Sequence, residues 1–407
     1  MKYLIINSVC KTSSTGSIAY GLHSYLKELG HTSIVCYGRG EISDDEDLIR
    51  LDSDLEVKLH AGLTRLTGLQ GYFSNLATTK LLHILEMYRP DGVILLNLHG
   101  YYLNEYRLLD FLKKSKIRTV YIMPDEYPFL GKCCFSKDCQ KFKNECGNCD
   151  YIHEYPKSLF LDQSKRIFRM KKKVYTSFNN LIFASPQFNI LKAKESALLK
   201  DKELSAVDWG IDLENTYRVH DIGVVRKKYN IPENKKVILV VGSFLNERKG
   251  IRKFVFECAK QTKCDDLLFI NVGFDGDENI CPANFMPISY VNDQIALSEI
   301  YSCADLFVIA STADTMPLAC LISLGCGTPI CCFNMLGFPL IADATCATFI
   351  EPENFDMLLD AIERTPYKNK EIIDRCRSYA MGRYLDKDFY KRLFDLANEN
   401  MGDENEK

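Results

Sequence analysis

The sequence has no excess of either charge and no long hydrophobic run. Its 407 residues include 51 lysines and arginines against 54 aspartates and glutamates, so the formal net charge is −3. This balance gives no support to a general nucleic-acid-binding role, which needs a basic surface. The longest apolar runs, such as 237–241, have the length of a β-strand, whereas a membrane-spanning helix needs about 20 apolar residues.

A signal peptide and a dinucleotide fingerprint are also missing. Residues 1–7 turn polar too early for a signal peptide, so we expect a cytoplasmic protein. No G-x-G-x-x-G motif follows the first apolar run, which leaves out the usual dinucleotide signature. The chain has 17 cysteines, and in a reducing cytoplasm a cluster of cysteines points to a metal before a disulfide.

Short apolar runs alternate along the chain with segments in which apolar residues recur at helical spacing. Continuous β-branched runs are typical of buried parallel strands, and their alternation with helices predicts an α/β fold. The predicted strands are 3–7, 33–37, 93–97, 119–123, 181–185, 237–242, 267–272, 306–311 and 329–333. The predicted helices include 16–29, 80–88, 106–114, 165–177, 251–261, 294–303, 317–324, 355–363, 370–384 and 387–398.

A polar turn near 206–212 divides these elements into two series. The pattern predicts two Rossmann-like domains that face a central cleft, an N-terminal one over 1–205 and a C-terminal one over 206–385. A cysteine-rich loop, 131–151, is inserted in the N-terminal domain. Residues 386–407 are expected to form a C-terminal helix, packed back toward the N-terminal domain, and an acidic tail.

Three loops that follow predicted strands carry residues suited to an anion. Gly16 and Ser17 belong to a hydroxyl-rich loop before a helix, whose N-terminus can hold an anion with backbone N–H groups. Arg248 and Lys249 suit a diphosphate, because fixed positive charge stabilises the negative charge that develops on a leaving group. Loop 311–317 leads into a helix opened by Pro317. Each loop, taken singly, is also compatible with an ordinary strand-to-helix connection.

The order of these elements resembles glycosyltransferase family 4, the retaining sugar-nucleotide-dependent enzymes of the GT-B fold. The resemblance covers nearly the whole chain, and the segment 127–133 is similar to a sub-branch that makes capsule, O-antigen and exopolysaccharide chains. The matching stretches are Ile6-Asn7-Ser8-Val9 with Ser14-Thr15-Gly16, 97–103, Ala184-Ser185-Pro186, Gly210-Ile211-Asp212, Arg248-Lys249-Gly250, 304–307, and Asp314-x-x-Pro317 followed by Gly325-Cys326-Gly327-Thr328-Pro329.

The resemblance implies a nucleotide-diphosphate sugar as donor, a glycan or lipid-linked acceptor, and no catalytic metal. Arg248 and Lys249 would hold the diphosphate, and Asp314 would take the first acidic position of the family's E-x7-E signature, near the donor sugar. Asp125, the second residue of the family's His-Asp pair, would be a fourth catalytic residue. The other implied donor-binding residues are Gly16, Ser17, Ser243, Thr315, Met316, Pro317 and Leu318. The implied acceptor-side residues are His99, Tyr101 and Tyr102.

Four positions depart from the family pattern. Ile322 occupies the second acidic position of the signature, Pro124 replaces the histidine before Asp125, and Ser243 and Ser17 stand where arginines are common. Two hypotheses therefore stay open. One is an active retaining glycosyltransferase of surface polysaccharide synthesis, and the other is a catalytically degenerate paralogue that binds a glycan or a partner protein.

A basic stretch between residues 165 and 173 contains six cations, Lys165, Arg166, Arg169, Lys171, Lys172 and Lys173. With Phe168, Met170 and Val174 between them, it could rest on the anionic inner membrane surface. A solvated helix face is the alternative.

Four cysteines, Cys133, Cys139, Cys146 and Cys149, form C-x5-C-x6-C-x2-C in the cysteine-rich loop. The Cys146–Cys149 pair has the spacing of one half of a structural zinc site. A polar loop of this length needs a cross-link to hold one shape, and zinc can supply it. Disulfides and free thiols are the alternatives.

Overall fold

The computed structural model describes residues 1–335 and 337–398. It contains two compact units. The first unit comprises Met1–Val207 and the described residues from Tyr390 onward, and the second unit comprises Asp208–Phe389. The predicted acidic tail, 402–407, lies outside the described residues.

The first unit is built on a seven-stranded parallel sheet in the order β3-β2-β1-β4-β5-β6-β7. Its strands are β1 Lys2–Val9, β2 Thr32–Arg39, β3 Leu48–Arg50, β4 Gly92–Leu95, β5 Arg118–Ile122, β6 Leu181–Ser185 and β7 Glu203–Ala206. Its helices are α1 Ser13–Glu28, α2 Asp54–Thr67, α3 Asn75–Tyr88, α4 Glu105–Ser115, α5 Ser164–Tyr175 and α6 Gln187–Ala193. The central strands are buried on both faces, as parallel sheets covered by helices require.

The second unit has a six-stranded parallel sheet in the order β10-β9-β8-β11-β12-β13. Its strands are β8 Lys236–Val241, β9 Leu267–Val272, β10 Phe285–Ile288, β11 Leu306–Ile309, β12 Ile330–Phe333 and β13 Ala347–Ile350. Its helices are α7 Ile222–Lys228, α8 Phe256–Gln261, α9 Gln294–Cys303, α10 Leu318–Gly325, α11 Phe338–Ile341, α12 Phe355–Arg364 and α13 Lys370–Met381. A π-helical turn, Ile251–Val255, leads into α8.

The last helix, α14 Asp386–Asn398, packs its C-terminal part on the first unit. The hydroxyl of Tyr390 lies 2.0 Å from where a Cβ on Gly21 would stand. The ring of Phe394 lies 5.8 Å from that of Tyr3. A glycine in α1 therefore makes room for a tyrosine of α14, and a side chain at position 21 would displace the end of the Tyr390 ring.

The predicted α/β fold with two parallel sheets is confirmed. All nine predicted strands are present, with ends displaced by a few residues. The four strands that sequence reasoning missed are β3, β7, β10 and β13, and each is the edge of its sheet.

The predicted basic helix is α5, and the structure corrects two parts of that prediction. Lys171 is only 1% exposed, and its ammonium group donates to the carbonyl oxygens of Tyr127 at 2.6 Å and Leu130 at 3.2 Å. It therefore adds no charge to the surface. Phe168 and Val174 are buried against the core, so they are not placed to contact lipid. None of the described helices is long and apolar enough to span a membrane.

Candidate functional site

The loops after β8 and β11 meet because these strands are neighbours in the second sheet. Arg248 and Lys249 lie in a short 3-10 turn after β8, and Asp314 follows β11. A nitrogen of Arg248 lies 2.9 Å from one carboxylate oxygen of Asp314, and the ammonium group of Lys249 lies 3.1 Å from the other. Residues more than 60 positions apart in sequence thus form one cluster, which we call the cation pair with its carboxylate.

Backbone contacts hold the turn in place. Gly250, directly after the cations, has φ of +66°, and a Cβ there would stand 2.1 Å from the carbonyl oxygen of Ala310. Only glycine permits both this left-handed conformation and this close approach. The carbonyl oxygen of Arg248 accepts hydrogen bonds from the backbone N–H of Thr312 at 2.9 Å and the hydroxyl of Ser311 at 3.1 Å. The positions of both cations are therefore determined by main-chain packing.

Charge interactions within the cluster keep its carboxylate ionised. Burial alone would raise the pKa of Asp314, but Lys249 and Arg248 beside it outweigh burial and hold the pKa below its usual range. The hydroxyl oxygen of Ser311 also lies 2.8 Å from a carboxylate oxygen of Asp314, so its one proton is shared between Asp314 and the carbonyl oxygen of Arg248. Two cations thus share one ionised carboxylate, and their side chains are 33% and 24% exposed. This arrangement can accept a further anion.

The loop after β9 joins the same edge of the sheet. The hydroxyl of Ser243 donates to a carboxylate oxygen of Asp275 at 2.5 Å, and the backbone N–H of Leu245 donates to the other at 3.0 Å. Ser243 therefore lies at the strand end where it was predicted, but its hydroxyl is engaged. Sequence reasoning missed Asp275, although its position just after a predicted strand was a usable signal.

The remaining predicted donor-binding residues of the second unit surround the start of α10. Pro317 is the N-cap residue, and Leu318 is the first residue of the helix. Thr315 and Met316 are 6% exposed each, so they shape the loop from within. Ile322, at the second acidic position of the signature, is buried in α10.

In the first unit, His99 follows β4 and Asp125 follows the neighbouring strand β5. Nε2 of His99 lies 2.8 Å from a carboxylate oxygen of Asp125, and Nδ1 lies 3.2 Å from the hydroxyl of Tyr155. Cys134 Sγ lies 3.7 Å from Nε2 and 3.9 Å from Nδ1, and so packs over the ring. The residue before Asp125 is a proline, but a histidine from the adjacent loop still contacts this aspartate.

Buried groups stabilise the loop that carries Asp125. The backbone N–H of Tyr127 donates to Asp125 at 2.9 Å, and its hydroxyl donates to Glu105 at 2.6 Å. Glu105 is 2% exposed, and burial raises its pKa while Lys171 nearby lowers it. The ammonium group of Lys171 lies 3.3 Å from the centre of the Tyr127 ring. Sequence reasoning missed Glu105 and Tyr155.

The other predicted residues of the first unit have different surroundings. Tyr101 is 7% exposed, with its ring 5.8 Å from that of Tyr155. Tyr102 is fully buried and packs on Gly38, so its ring is part of the core and lines no surface. Gly16 lies in the first turn of α1, where a Cβ would stand 3.2 Å from the side chain of Val9. Ser17 Oγ donates to the carbonyl oxygen of Lys11 at 3.5 Å.

The predicted zinc ligands share one loop but do not form a closed site. Burial raises the pKa of the Cys133 thiol, and the nearby Cys149 and Cys146 raise it further. None of the cysteines is in a disulfide. Across residues 1–335 and 337–398, the one group of three or more potential metal ligands with donor atoms within 4.8 Å of one another is His99, Asp125 and Cys134. Both nitrogens of His99 already have partners, and zinc on the four thiols stays a prediction.

Comparisons with known proteins place this geometry in a family. The model of the family described as "Glycosyl transferases group 1" matches residues 235–365, which contain the cation pair with its carboxylate. WcaC of Escherichia coli K12, named as a colanic acid biosynthesis glycosyl transferase, is 22% identical over 349 residues, covering 81% of this chain and 82% of that protein.

Two solved structures share the fold over nearly the whole chain. WaaG, described as a glycosyltransferase involved in lipopolysaccharide biosynthesis, aligns with a TM-score of 0.67 at 17% identity, covering 98% of this chain and 100% of that one. Anabaena HepE, solved in complex with UDP-glucose, aligns with a TM-score of 0.64 at 12% identity, covering 97% and 98%.

These matches confirm the resemblance that the sequence motifs indicated. Residues 235–365 form a group 1 glycosyltransferase domain, and the chain has the GT-B fold of the solved structures that it resembles.

Proposed function

We propose that this protein transfers a sugar, with retention of configuration, from a nucleotide-diphosphate donor to a glycan or lipid-linked acceptor in surface polysaccharide synthesis. The observation that carries the proposal is the cation pair with its carboxylate at the strand ends of the second unit. Two adjacent cations, held by main-chain packing, suit a donor diphosphate. HepE was solved with UDP-glucose, and the names of WcaC and WaaG refer to polysaccharide synthesis.

The proposed chemistry follows from that charge. Arg248 and Lys249 bind the diphosphate and stabilise the negative charge that grows on it as the bond from the sugar C1 to phosphate oxygen breaks. The acceptor hydroxyl forms the new bond to C1 on the same face, and its proton passes to the departing phosphate oxygen. Asp314 keeps the two cations oriented before the donor binds. No step needs a metal ion.

His99 and Asp125 are proposed to act on the acceptor side. Their 2.8 Å contact fixes the imidazole, and Tyr155 covers its other nitrogen at 3.2 Å. Tyr155 is 48% exposed, so it can move when a ligand arrives. The proposed setting is the cytoplasm, at the membrane face where a lipid-linked acceptor would be available.

Donor hydrolysis tests the proposal without knowledge of the acceptor. Purified protein is incubated with a panel of UDP-, GDP- and dTDP-sugars, and release of the free nucleotide diphosphate is measured against a blank without protein. At least one donor should be hydrolysed above the blank. If no donor is hydrolysed and none binds by calorimetry, the alternative of a degenerate paralogue is correct.

We also propose a structural zinc ion on Cys133, Cys139, Cys146 and Cys149. The four cysteines share one loop with little regular structure. Burial raises the pKa of the Cys133 thiol, and a bound metal ion would lower it and favour the thiolate. Structural zinc contributes about 10–16 kcal/mol in peptide systems. All four ligands would be protein groups, so no water would be activated.

Metal analysis of protein purified without chelator should find one zinc per chain. Cys146→Ser should lose the zinc, because a tetrahedral site needs all four ligands. Cys264→Ser, at a half-buried cysteine of the second unit, is the matched control and should keep it. Metal-free protein in which all four thiols alkylate rapidly would disprove the site.

A further inference from the structure

Helix α2 of the first unit turns a row of leucines to the solvent. Leu55, Leu59 and Leu66 are 77%, 61% and 55% exposed. At 100° per residue they fall within one narrow stripe. His60 and Thr64 on the opposite side of the helix are buried. A surface helix usually buries its leucines and exposes its polar residues, so this helix has an apolar face that no described residue covers.

A second exposed apolar segment lies beside the end of α2. Phe160 is 74% exposed and Leu161 48%. The backbone N–H of Leu159 donates to the carbonyl oxygen of Arg65 in α2 at 2.8 Å. Gly68, just after the helix, packs against the carbonyl oxygen of Leu161. The leucine stripe and residues 159–161 therefore form one surface, which we call the apolar ridge.

Cations border the apolar ridge. Lys58 and Arg65 are exposed, and both lie along one side of the leucine stripe. Directly after residues 159–161 in the chain, a hollow of about 430 Å³ is lined by Asp162, Lys165, Arg166, Arg169 and Lys173, together with Gln163 and Met170. Glu145 pairs with Lys165 and Arg169, while Arg166 and Lys173 have no carboxylate within 4 Å in the described part of the chain. Four cations against the carboxylates of Asp162 and Glu145 leave the hollow with a net positive charge.

We propose that the apolar ridge and the cationic hollow together dock this glycosyltransferase on an anionic phospholipid membrane. The inference rests on the proposed function, because a lipid-linked acceptor would be held at such a surface. Protruding leucines and a phenylalanine insert below the headgroups, and neighbouring lysines and arginines bind the phosphates. Lysine is depleted at protein–protein interfaces, so its place beside this stripe favours a membrane over a protein partner.

This surface differs from the one that the sequence predicted. The basic stretch of α5 supplies the cations, but its own apolar residues face the core. The apolar half of the membrane contact comes from α2 and residues 159–161 instead. A helix that lies in the membrane plane needs both halves.

Vesicle co-sedimentation tests the proposal with the full chain. Wild-type protein should bind vesicles that contain phosphatidylglycerol and bind phosphatidylcholine vesicles weakly, and high salt should release part of it. L59S/F160S should lower the partition coefficient by about tenfold or more, because two large apolar side chains no longer insert. R166Q/K173Q should weaken binding to the anionic vesicles only.

Matched controls keep the result interpretable. Val224→Ser removes a side chain that is 66% exposed in the second unit and should bind vesicles like wild type. Circular dichroism and thermal unfolding check that each variant is folded. If L59S/F160S binds anionic vesicles as tightly as wild type, the apolar ridge is not the docking surface. If that variant instead turns a lipid-free dimer into a monomer, the ridge is a self-association interface.

Donor hydrolysis separates this proposal from the proposed function. It is measured without lipid, and both double variants should retain it, since none of their substituted residues belongs to the cation pair with its carboxylate. Wild-type protein that binds anionic vesicles through the ridge but hydrolyses no donor would overturn the proposed function alone. Active protein that ignores anionic vesicles would overturn the docking surface alone.

Discussion

Arg248→Ala should lower the rate of sugar transfer, or of donor hydrolysis, by about 10²–10³-fold. Removal of one fixed group that stabilises developing charge has an effect of this size in other enzymes. Arg248 is the better placed of the two cations for this test. Its guanidinium is held by Asp314 at 2.9 Å and by the carbonyl oxygen of Ala313, so it is oriented before the donor arrives.

The kinetic constants show where Arg248 acts. Since the negative charge on the diphosphate grows as the sugar departs, the loss should fall mainly on kcat, with a smaller rise in KM. Arg252→Ala is the matched control, because this arginine is exposed on the next turn and has no contact with Asp314. Equal rates for the two variants would show that the cation pair does not stabilise the leaving group.

Lys171→Met should lower the free energy of unfolding by about 3–5 kcal/mol, the usual effect of leaving a buried charge uncompensated. Lys171 and Glu105 are 1% and 2% exposed, and Tyr127 lies between them. Without the ammonium group, two carbonyl oxygens lose their donor and Glu105 loses its nearest compensating charge.

The pH dependence of this variant has a defined sign. Burial already raises the pKa of Glu105, and the positive charge of Lys171 is the main influence that lowers it. Loss of that charge should raise this pKa further. A carboxyl group whose pKa is raised in the folded state stabilises it at low pH, and this contribution is lost as the pH rises through the folded value. The defect of Lys171→Met should therefore be larger at neutral pH than near pH 4.5, the usual value of glutamate.

Chemical denaturation at several pH values measures both effects. Lys172→Met, one residue along the same helix and exposed, should stay within about 0.5 kcal/mol of wild type. Adding Glu105→Gln to Lys171→Met should recover part of the stability, because no ionised group is then left buried. If the single variant at position 171 is as stable as the one at 172, the buried network does not stabilise the loop.

The edge strands could not be predicted from the composition of their segments. Central parallel strands are buried on both faces, so they are continuous apolar runs that a sequence displays directly. Strand β3 has three residues, and β7, Glu203–Ala206, is exposed or half-buried throughout. These strands form because a neighbouring strand is there to pair with, and no local sequence pattern indicates that neighbour.

Lys171 is a different case, because the sequence contained a signal that was not used. Ile167, Phe168, Val174 and Tyr175 recur at helical spacing and are all buried, and Lys171 lies on the same face at the same spacing. Its charge suggested a surface position. The helical spacing would have predicted that Lys171 is buried, since burial follows the face of the helix on which a residue lies.

The sequence by itself determined the α/β class, the nine inner strands, and the strand-end loops that carry Arg248, Lys249 and Asp314. These follow from local periodicity, which reports the surroundings of each segment. Tertiary structure alone decided the strand order, and with it that β8 lies beside β11 and β4 beside β5. Asp314 therefore meets its two cations, and His99 meets Asp125. The same packing buries Tyr102 and leaves the leucines of α2 exposed, because contacts between distant segments depend on how whole elements pack.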